Sequence, residues 1–376
     1  MQIHQFVHTL NYGDAISGEA LTIRRLLAER GLGGNIYSLH AHDKVKEQTR
    51  HWLQFDEDLA VSRAQNQPVC VILHYSIASP LNDLFMATES VERVVIYHNL
   101  TPPRWFANYN SRVYQDLQRG VIELPSIINA ADLVLADSEF NRDELAQFTN
   151  RSISVLPLPL DLEKWSVPAN GGIAAVLKAK GEVNLLHVGR LAPNKCVEDI
   201  IKSFYFYRHK IQPRSKLWLI GIDIDTEIYS FELRRLISRF NLKDSVELVG
   251  AVADGELRSF YENCDVYLCM SEHEGFCLPL LEAMYFRLPV IAYGACAVPE
   301  TLGGAGVLVQ QKAHAEIAEV VNLLVTDQAA RSKIIEAGEK RIRDFSEAQF
   351  DKLLDERLLN QLVGLNAEGH GHRNWS

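Results

Sequence analysis

No apolar run in this chain approaches the roughly 18–20 residues that a bilayer-crossing helix needs, so a soluble protein is expected. The opening residues, Met1-Gln2-Ile3-His4-Gln5, read at once as strand and lack the basic-then-apolar order of a secretory leader. Basic residues are outnumbered: 38 Lys and Arg against 48 Asp and Glu give a formal net charge of −10. That balance argues against general nucleic-acid binding, which needs a basic field. Cysteine is sparse, and the six present (Cys70, Cys196, Cys264, Cys269, Cys277, Cys296) show no paired or zinc-type spacing. They read as free thiols of a reducing cytoplasm. No Gly-x-Gly-x-x-Gly turn follows a strand, which removes the main mark of a nicotinamide-dinucleotide enzyme. Short-period repeats and low-complexity tracts are also lacking.

What is present is an ordinary globular composition, 47% hydrophobic and 23% charged over 376 residues, long enough that two domains are the default. Short apolar segments alternate with helical spacing. Ile3–Val7, Asn35–Leu39, Val69–Leu73, Val94–Tyr97, Leu133–Ala136 and Ile153–Leu156 read as buried strands, with helices over Ser17–Arg30, 107–129 and 139–149. Residues 41–66 are polar and give no assignment. Leu156-Pro157-Leu158-Pro159-Leu160 suits neither helix nor central strand and reads as a hinge. The alternation then repeats, with strands at Val183–Val188, Lys216–Ile220, Val246–Val249, Val266–Met270, Val290–Tyr293 and Val307–Val309. Helices close the chain at about 313–325, 328–343 and 347–363. Such alternation predicts α/β halves, each a parallel sheet covered on both faces, with ligand chemistry in loops at the carboxyl ends of strands.

The richest stretch is Ser271-Glu272-His273-Glu274-Gly275-Phe276-Cys277-Leu278-Pro279-Leu280-Leu281-Glu282. It leaves a strand and enters a helix, with Pro279 where a missing N–H costs nothing. Gly275 lets backbone approach a ligand, and the amides of Gly275, Phe276, Cys277 and Leu278 open a helix N-terminus, a ready anion site. A carboxylate beside a phosphate would be repelled, so Glu274 and Glu282 are expected to grip hydroxyls on either side of a diphosphate. Helix-start amides favour a lowered Cys277 thiol, but no histidine partner is assigned nearby in sequence, and Cys277 reads as a small loop residue. A second loop, His187-Val188-Gly189-Arg190-Leu191-Ala192-Pro193-Asn194-Lys195, turns at Gly189 and offers a guanidinium fork and a point charge five residues apart. The combination reads as a metal-free clamp on a nucleotide sugar.

Gly189-Arg190 with Lys195, followed by Glu274 and Glu282 with seven residues between them, resembles the retaining family 4 glycosyltransferases of the GT-B fold. Tyr97-His98-Asn99-Leu100-Thr101-Pro102-Pro103 looks like that family's acceptor-side histidine segment. The resemblance implies two Rossmann-like domains facing across a cleft. An acceptor-side domain would span 1–160, a nucleotide-sugar domain 161–345, and residues 346–376 would form a helix returning to the first domain and a loose tail. It also implies roles: Glu282 on ribose, Glu274 on the donor hexose, Arg190 and Lys195 on the diphosphate, Gly275 to Leu278 on phosphate and sugar, and His98 beside the transferred hexose. Where the family often has a Gly-Gly turn, Tyr12-Gly13-Asp14 stands. Gly13 would still present an amide to phosphate or acceptor, with Asp14 and His74 as acceptor contacts.

The activity so implied moves a hexose, mannose favoured, onto a glycan, lipid-linked or small-molecule hydroxyl, with retention and with no cofactor or metal. A non-catalytic nucleotide-sugar binder and a same-fold epimerase or phosphorylase are the alternatives. The implied partners are a nucleotide sugar and its acceptor, with no nucleic acid, in the cytoplasm. Arg24, Arg25 and Arg30 leave peripheral contact with a membrane surface as an option. Asp223-Ile224-Asp225 and Asp56-Glu57-Asp58 match an Asp-x-Asp metal pattern that arises often by chance. Trp105, Phe106 and Tyr109 read as core anchors or as an apolar wall for an acceptor, and His370-Gly371-His372 as a loose tail.

Overall fold

The computed structural model describes residues 1–178 and 183–367; His370-Gly371-His372 lies outside them. The chain falls into two units. The first holds Met1–Pro102, Gln115–Pro159 and the segment from Glu347 on, and the second holds Pro103–Tyr114 and Leu160–Ser346.

Unit 1 is built on β1 (Gln2–Leu10), β2 (Ile36–Ala41), β3 (Arg50–His51), β4 (Val69–Tyr75), β5 (Glu92–Tyr97), β6 (Leu133–Ala136) and β7 (Ile153–Val155). They form one sheet in the order β3-β2-β1-β4-β5-β6-β7, and every pairing is parallel. The helices between them are α1 (Ala15–Glu29), α2 (Phe55–Ala64), α3 (Pro80–Ala87), α4 (Ser111–Ala130) and α5 (Glu139–Leu145). Covered on both faces, β4 (Val-Cys-Val-Ile-Leu-His-Tyr) is buried at every position, as central parallel strands are. The order of strands reverses between β1 and β4, so the loops leaving those two strands diverge and open a crevice at their carboxyl ends.

Unit 2 repeats the plan. After α6 (Gly171–Lys178) come β8 (Val183–Val188), α7 (Val197–Phe206), β9 (Ser215–Ile220), α8 (Glu227–Arg239), β10 (Val246–Gly250) and α9 (Asp254–Asn263). They are followed by β11 (Val266–Cys269), α10 (Leu278–Tyr285), β12 (Val290–Tyr293), α11 (Val298–Leu302), β13 (Val307–Val309), α12 (His314–Thr326) and α13 (Gln328–Arg341). The parallel order is β10-β9-β8-β11-β12-β13, reversing between β8 and β11. Residues 103–114 pack here rather than with their sequence neighbours: Phe106 is buried, the Tyr109 and Tyr229 rings meet edge-on at 5.5 Å, and Arg112 pairs with Asp225 at 2.7 Å. Of the two readings open for these aromatics, Phe106 is a buried anchor and Tyr109 packs, partly buried, against the unit 2 core.

The chain returns to unit 1 through α14 (Glu347–Leu354), a π-type turn, and α15 (Asn360–Ala367). Phe350, Leu354, Leu358 and Leu362 join Ile3, Ile23, Leu26, Leu27, Cys70 and Ile72 in one buried cluster. Arg30 forks Asp351 and Asp355 at 2.7 and 2.9 Å, Arg25 pairs with Glu347 at 2.6 Å, and Arg24 donates to Gln48. The three arginines considered as a membrane-facing patch are therefore committed to contacts within the unit. Among the described residues no helix is long and apolar enough to cross a membrane.

Some local readings are corrected. Residues 41–66 carry β3 and α2, hidden because Phe55, Leu59 and Ser62 are the only buried positions of α2. Helix α3 also went unread, although Ser79 caps it by accepting from Leu81 N–H and Pro80 opens it. Helix α5 stops at Leu145 rather than 149. Asp58 is held by Arg50 at 2.8 Å, Asp225 by Arg112 at 2.7 Å and Asp223 by Arg234 at 3.7 Å, so both Asp-x-Asp patterns have carboxylates in ion pairs.

Leu354 is fully buried, and Leu354→Ala is expected to lower the stability of unit 1 by about 2–5 kcal/mol. Urea unfolding should show an earlier transition for unit 1 and an unmoved one for unit 2. A single unshifted transition would mean that α14 is dispensable to the first core.

Candidate active site

In unit 2 the two loops read from sequence leave β8 and β11, the strands flanking the reversal. Past β8 the chain runs on beside the residues after β9, Gly189 N–H bonding Ile220 O and Leu191 N–H bonding Ile222 O, both at 2.9 Å. A Cβ at Gly221 would lie 1.9 Å from Gly189 O, so this approach requires glycine. A short 3₁₀ turn, Pro193–Lys195, then delivers Lys195, and Cys196 adopts a left-handed conformation before α7. Past β11, Glu272 N–H bonds Asn194 O at 2.9 Å, and Asn194 Nδ2 donates to His273 O at 3.1 Å. The two loops are thus stitched together by a backbone bond and a side-chain amide before any charged side chain is considered.

Across that seam Lys195 Nζ meets Glu274 Oε2 at 2.6 Å, with side chains 23% and 9% exposed. Burial opposes the charge on both groups. Each nevertheless stabilises the other: Lys195 is held above its ordinary range and Glu274 below its own. Gly275 and Phe276 follow, with Thr301 Oγ1 donating to Phe276 O. Cys277, at φ 77°, turns the chain into α10, whose second residue is Pro279. The Cys277 thiol is not activated by its place at the helix start. Contact with the Cys269 thiol at 3.8 Å and burial push it well above its usual value, outweighing the helix amides.

Glu282, on the fifth residue of α10, is buried. Its Oε1 pairs with Lys164 and its Oε2 accepts from the Tyr261 hydroxyl at 2.8 Å. Lys164 also lies over the Trp165 ring at 4.4 Å. Arg190 takes a different neighbour from Lys195: its guanidinium donates to Ile224 O at 2.7 Å and lies 5.9 Å from the centre of the Phe106 ring. Lys312 forms a further cationic hub, 2.9 Å from Asp199 and 2.7 Å from Glu272. Lys164, Tyr261 and Lys312 were not singled out from sequence. The charged run Asp161-Leu162-Glu163-Lys164-Trp165 after the proline-spaced segment was the only available signal for the first.

In unit 1 the reversal lies between β1 and β4. After β1, Gly13 takes φ +78°, and Asp14 caps α1 by accepting from Ser17 N–H at 3.0 Å. This cap is the turn role that competes with acceptor contact for Asp14. His98, one residue past β5, has its Nε2 2.9 Å from His74 Nδ1 and its Nδ1 3.4 Å from Asp137. His74 Nε2 meets Gln5 Oε1 at 2.9 Å. Read as an acceptor contact, His74 instead has a fully buried side chain with both ring nitrogens engaged, and it supports His98 from below. Asn99 adopts φ 76° and is fixed by Asn141 at 2.8 Å and Glu144 at 3.0 Å.

Residues 173–341 match the family described as glycosyl transferases group 1. The second unit is a group 1 glycosyltransferase domain. The chain is 24% identical over 187 residues to an O-antigen chain mannosyltransferase B of Escherichia coli, covering 48% of each. It spans about half the length of the curated relatives it matches. Among solved structures it is similar to sucrose-phosphate synthase of Thermosynechococcus elongatus (18% identity, TM-score 0.74, 96% of this chain and 99% of that one). A second is Anabaena HepE in a complex with UDP-glucose (18% identity, TM-score 0.76, 96% and 100%). Likeness over nearly the whole chain shows the fold, GT-B, for both units, beyond the segment on which the glycosyltransferase family itself is matched.

Removing Lys195 leaves Glu274 buried and unpaired, so Lys195→Ala is expected to cost about 3–5 kcal/mol at neutral pH. The sign with pH follows from linkage. Glu274 is depressed in the native chain, so its contribution is present above the ordinary carboxylate value and lost as pH falls through its lowered one. Thermal melts should therefore show a steady gap between wild type and variant down to the ordinary carboxylate value of about 4.5 and a narrowing gap as pH falls below it. A constant gap would mean that the pair does not carry the effect.

Proposed function

We propose that this chain is a retaining hexosyltransferase, with mannose the favoured sugar, moving the sugar from a nucleotide diphosphate donor to a hydroxyl of a glycan, lipid-linked or small-molecule acceptor. The observation that carries the reading is the 2.6 Å meeting of Lys195 with Glu274. It joins a cation suited to a diphosphate and a carboxylate suited to sugar hydroxyls where α10 begins. Mannosyltransferase names among the relatives support the choice of sugar.

The donor diphosphate would lie against the amides opening α10, with Lys195 and Arg190 as its counter-charges. A phosphate drawing on Lys195 would release lone pairs of Glu274 to accept from hexose hydroxyls. Glu282 is a double acceptor with capacity beyond Lys164 and Tyr261, so ribose hydroxyls can be received without breaking either contact. Both carboxylates are engaged as acceptors or ion-pair partners, and neither is assigned as a nucleophile. We therefore assign a front-face substitution: the C1–O bond to diphosphate breaks as the acceptor oxygen bonds C1 on the same face, and the departing phosphate oxygen takes the acceptor proton. Charge grows on the leaving oxygen in the transition state, which is where cations and amides act most strongly. No metal enters this scheme. Gly13 is assigned an amide toward phosphate or acceptor, Asp14 the acceptor side, and His98 the transferred hexose and the site of transfer.

Loss of either clamp cation should lower kcat by about 10²–10³, measured with Arg190→Ala and Lys195→Ala once a donor is found. The donor itself is sought by thermal shift with GDP, UDP and their sugars. A ligand at about 100 times its Kd adds about 2.7 kcal/mol to apparent stability. Silence across the whole panel, or near-normal turnover in both variants, would sink the proposal.

A further inference from the structure

Glu19 is a carboxylate in the interior of unit 1. It lies on the buried stripe of α1 with Ser17, Ala20 and Ile23, is 1% exposed, and neither of its oxygens has a hydrogen-bond partner among the described residues. A carboxylate so placed is costly unless a positive charge compensates it. Its nearest titratable atoms are His98 Nε2 at 3.4 Å and His74 Nδ1 at 3.5 Å.

The two imidazoles are not equivalent. Their planes differ by 7° and their centroids lie 5.2 Å apart, exceeding the 2.9 Å nitrogen contact by the radii of the two rings. They are therefore joined edge to edge along one line. Glu19, His74 and His98 are close enough to suggest a cation site, but on that line the nitrogen lone pairs face each other and not a third point. The hydrogen order follows from the ends. Gln5 Nε2 donates to Ala20 O at 3.0 Å, which turns Gln5 Oε1 toward His74 and makes His74 Nε2 the donor there. His74 Nδ1 is then the acceptor, and His98 Nε2 carries the hydrogen between them. At the far end His98 Nδ1 faces Asp137, itself held by Asn141.

We propose that Glu19 is a positioning residue for His98: it supplies the buried negative charge that, with Asp137, keeps His98 an imidazolium and so fixes the ring and the turn His98-Asn99. Among the described residues the groups facing the ring are Glu19 and Asp14 from α1 and its cap, His74 from β4 and Asp137 past β6, all acids but for the second imidazole. Burial works against the charge on His98, yet Glu19 and Asp137 outweigh it and raise its pKa, while burial lowers that of His74. The consequence for transfer rests on the glycosyltransferase reading above, whereas the charge state does not.

The full chain labelled with ¹³Cε1-histidine tests this, the His98 resonance being assigned by its loss in His98→Gln. Wild-type His98 is expected to titrate above the ordinary value of about 6.5, and Glu19→Gln to lower that midpoint by about 1 unit or more. Turnover of the variant should fall about 10–10²-fold near neutral pH, with the alkaline limb of its pH profile displaced by the same interval. Nucleotide-induced thermal shifts should be unchanged. A wild-type midpoint at or below the ordinary value overturns the proposal and requires no variant. A midpoint unmoved by Glu19→Gln, or an unaltered rate and pH profile despite a moved midpoint, also overturns it. Should Glu19→Gln fail to fold, Glu19→Asp and the wild-type titration decide the matter. A chain that binds no nucleotide but shows the raised His98 sinks the transferase reading alone.

Discussion

The site in unit 2 depends on one constraint: two loops that leave adjacent strands in opposite directions must be tied together where they part. Asn194 and Glu272 make that tie through backbone, and Lys195 with Glu274 completes it through charge. A sheet whose order reverses at β8 and β11 opens a crevice by geometry alone. The ion pair gives the crevice its chemistry, because a desolvated cation and a desolvated carboxylate are each kept charged by the other. Displacing either with a ligand group of the same sign keeps the electrostatic sum nearly constant. That makes such a pair a low-cost place for a substrate to enter.

Unit 1 solves a related problem with different groups. Its reversal lies between β1 and β4, and the polar residues there are histidines, an amide and acids rather than lysine and glutamate. Gln5, His74, His98 and Asp137 run from β1 across β4 and β5 to the end of β6, one group per strand. Gln5 fixes the tautomer of His74, whose Nδ1 then accepts from His98. Asn99, in a left-handed conformation, is clamped by Asn141 and Glu144; the strain of that turn is held by its surroundings.

Legibility in the sequence tracked burial. Central strands such as Val69–Leu73, which runs on to Tyr75, and Val183–Val188 are plain because parallel strands buried on both faces are continuous apolar runs. The strand Arg50–His51 is exposed and carries no such signal. The stretch from Val266 to Met284 reads as strand, loop and helix, and it holds β11, a loop and nearly all of α10. Pairings were less visible, because they join residues far apart in the chain. Lys164 and Glu282 lie 118 positions apart, and nothing local announces them. Glu19 was within reach: it sits four residues before Ile23 on the apolar stripe of α1, where a charged residue calls for a partner.

The return of α14 and α15 to the first core has a bearing on how the chain matures. Ile3, Ile23, Leu26 and Leu27 share their cluster with Phe350 and Leu354, so that core stays open until the last helices have left the ribosome. Nearly all of unit 2 is one continuous stretch and can close beforehand. Biogenesis would then run against the usual N-terminal-first order, leaving β1 and α1 waiting, with apolar surface bare, for α14 and α15.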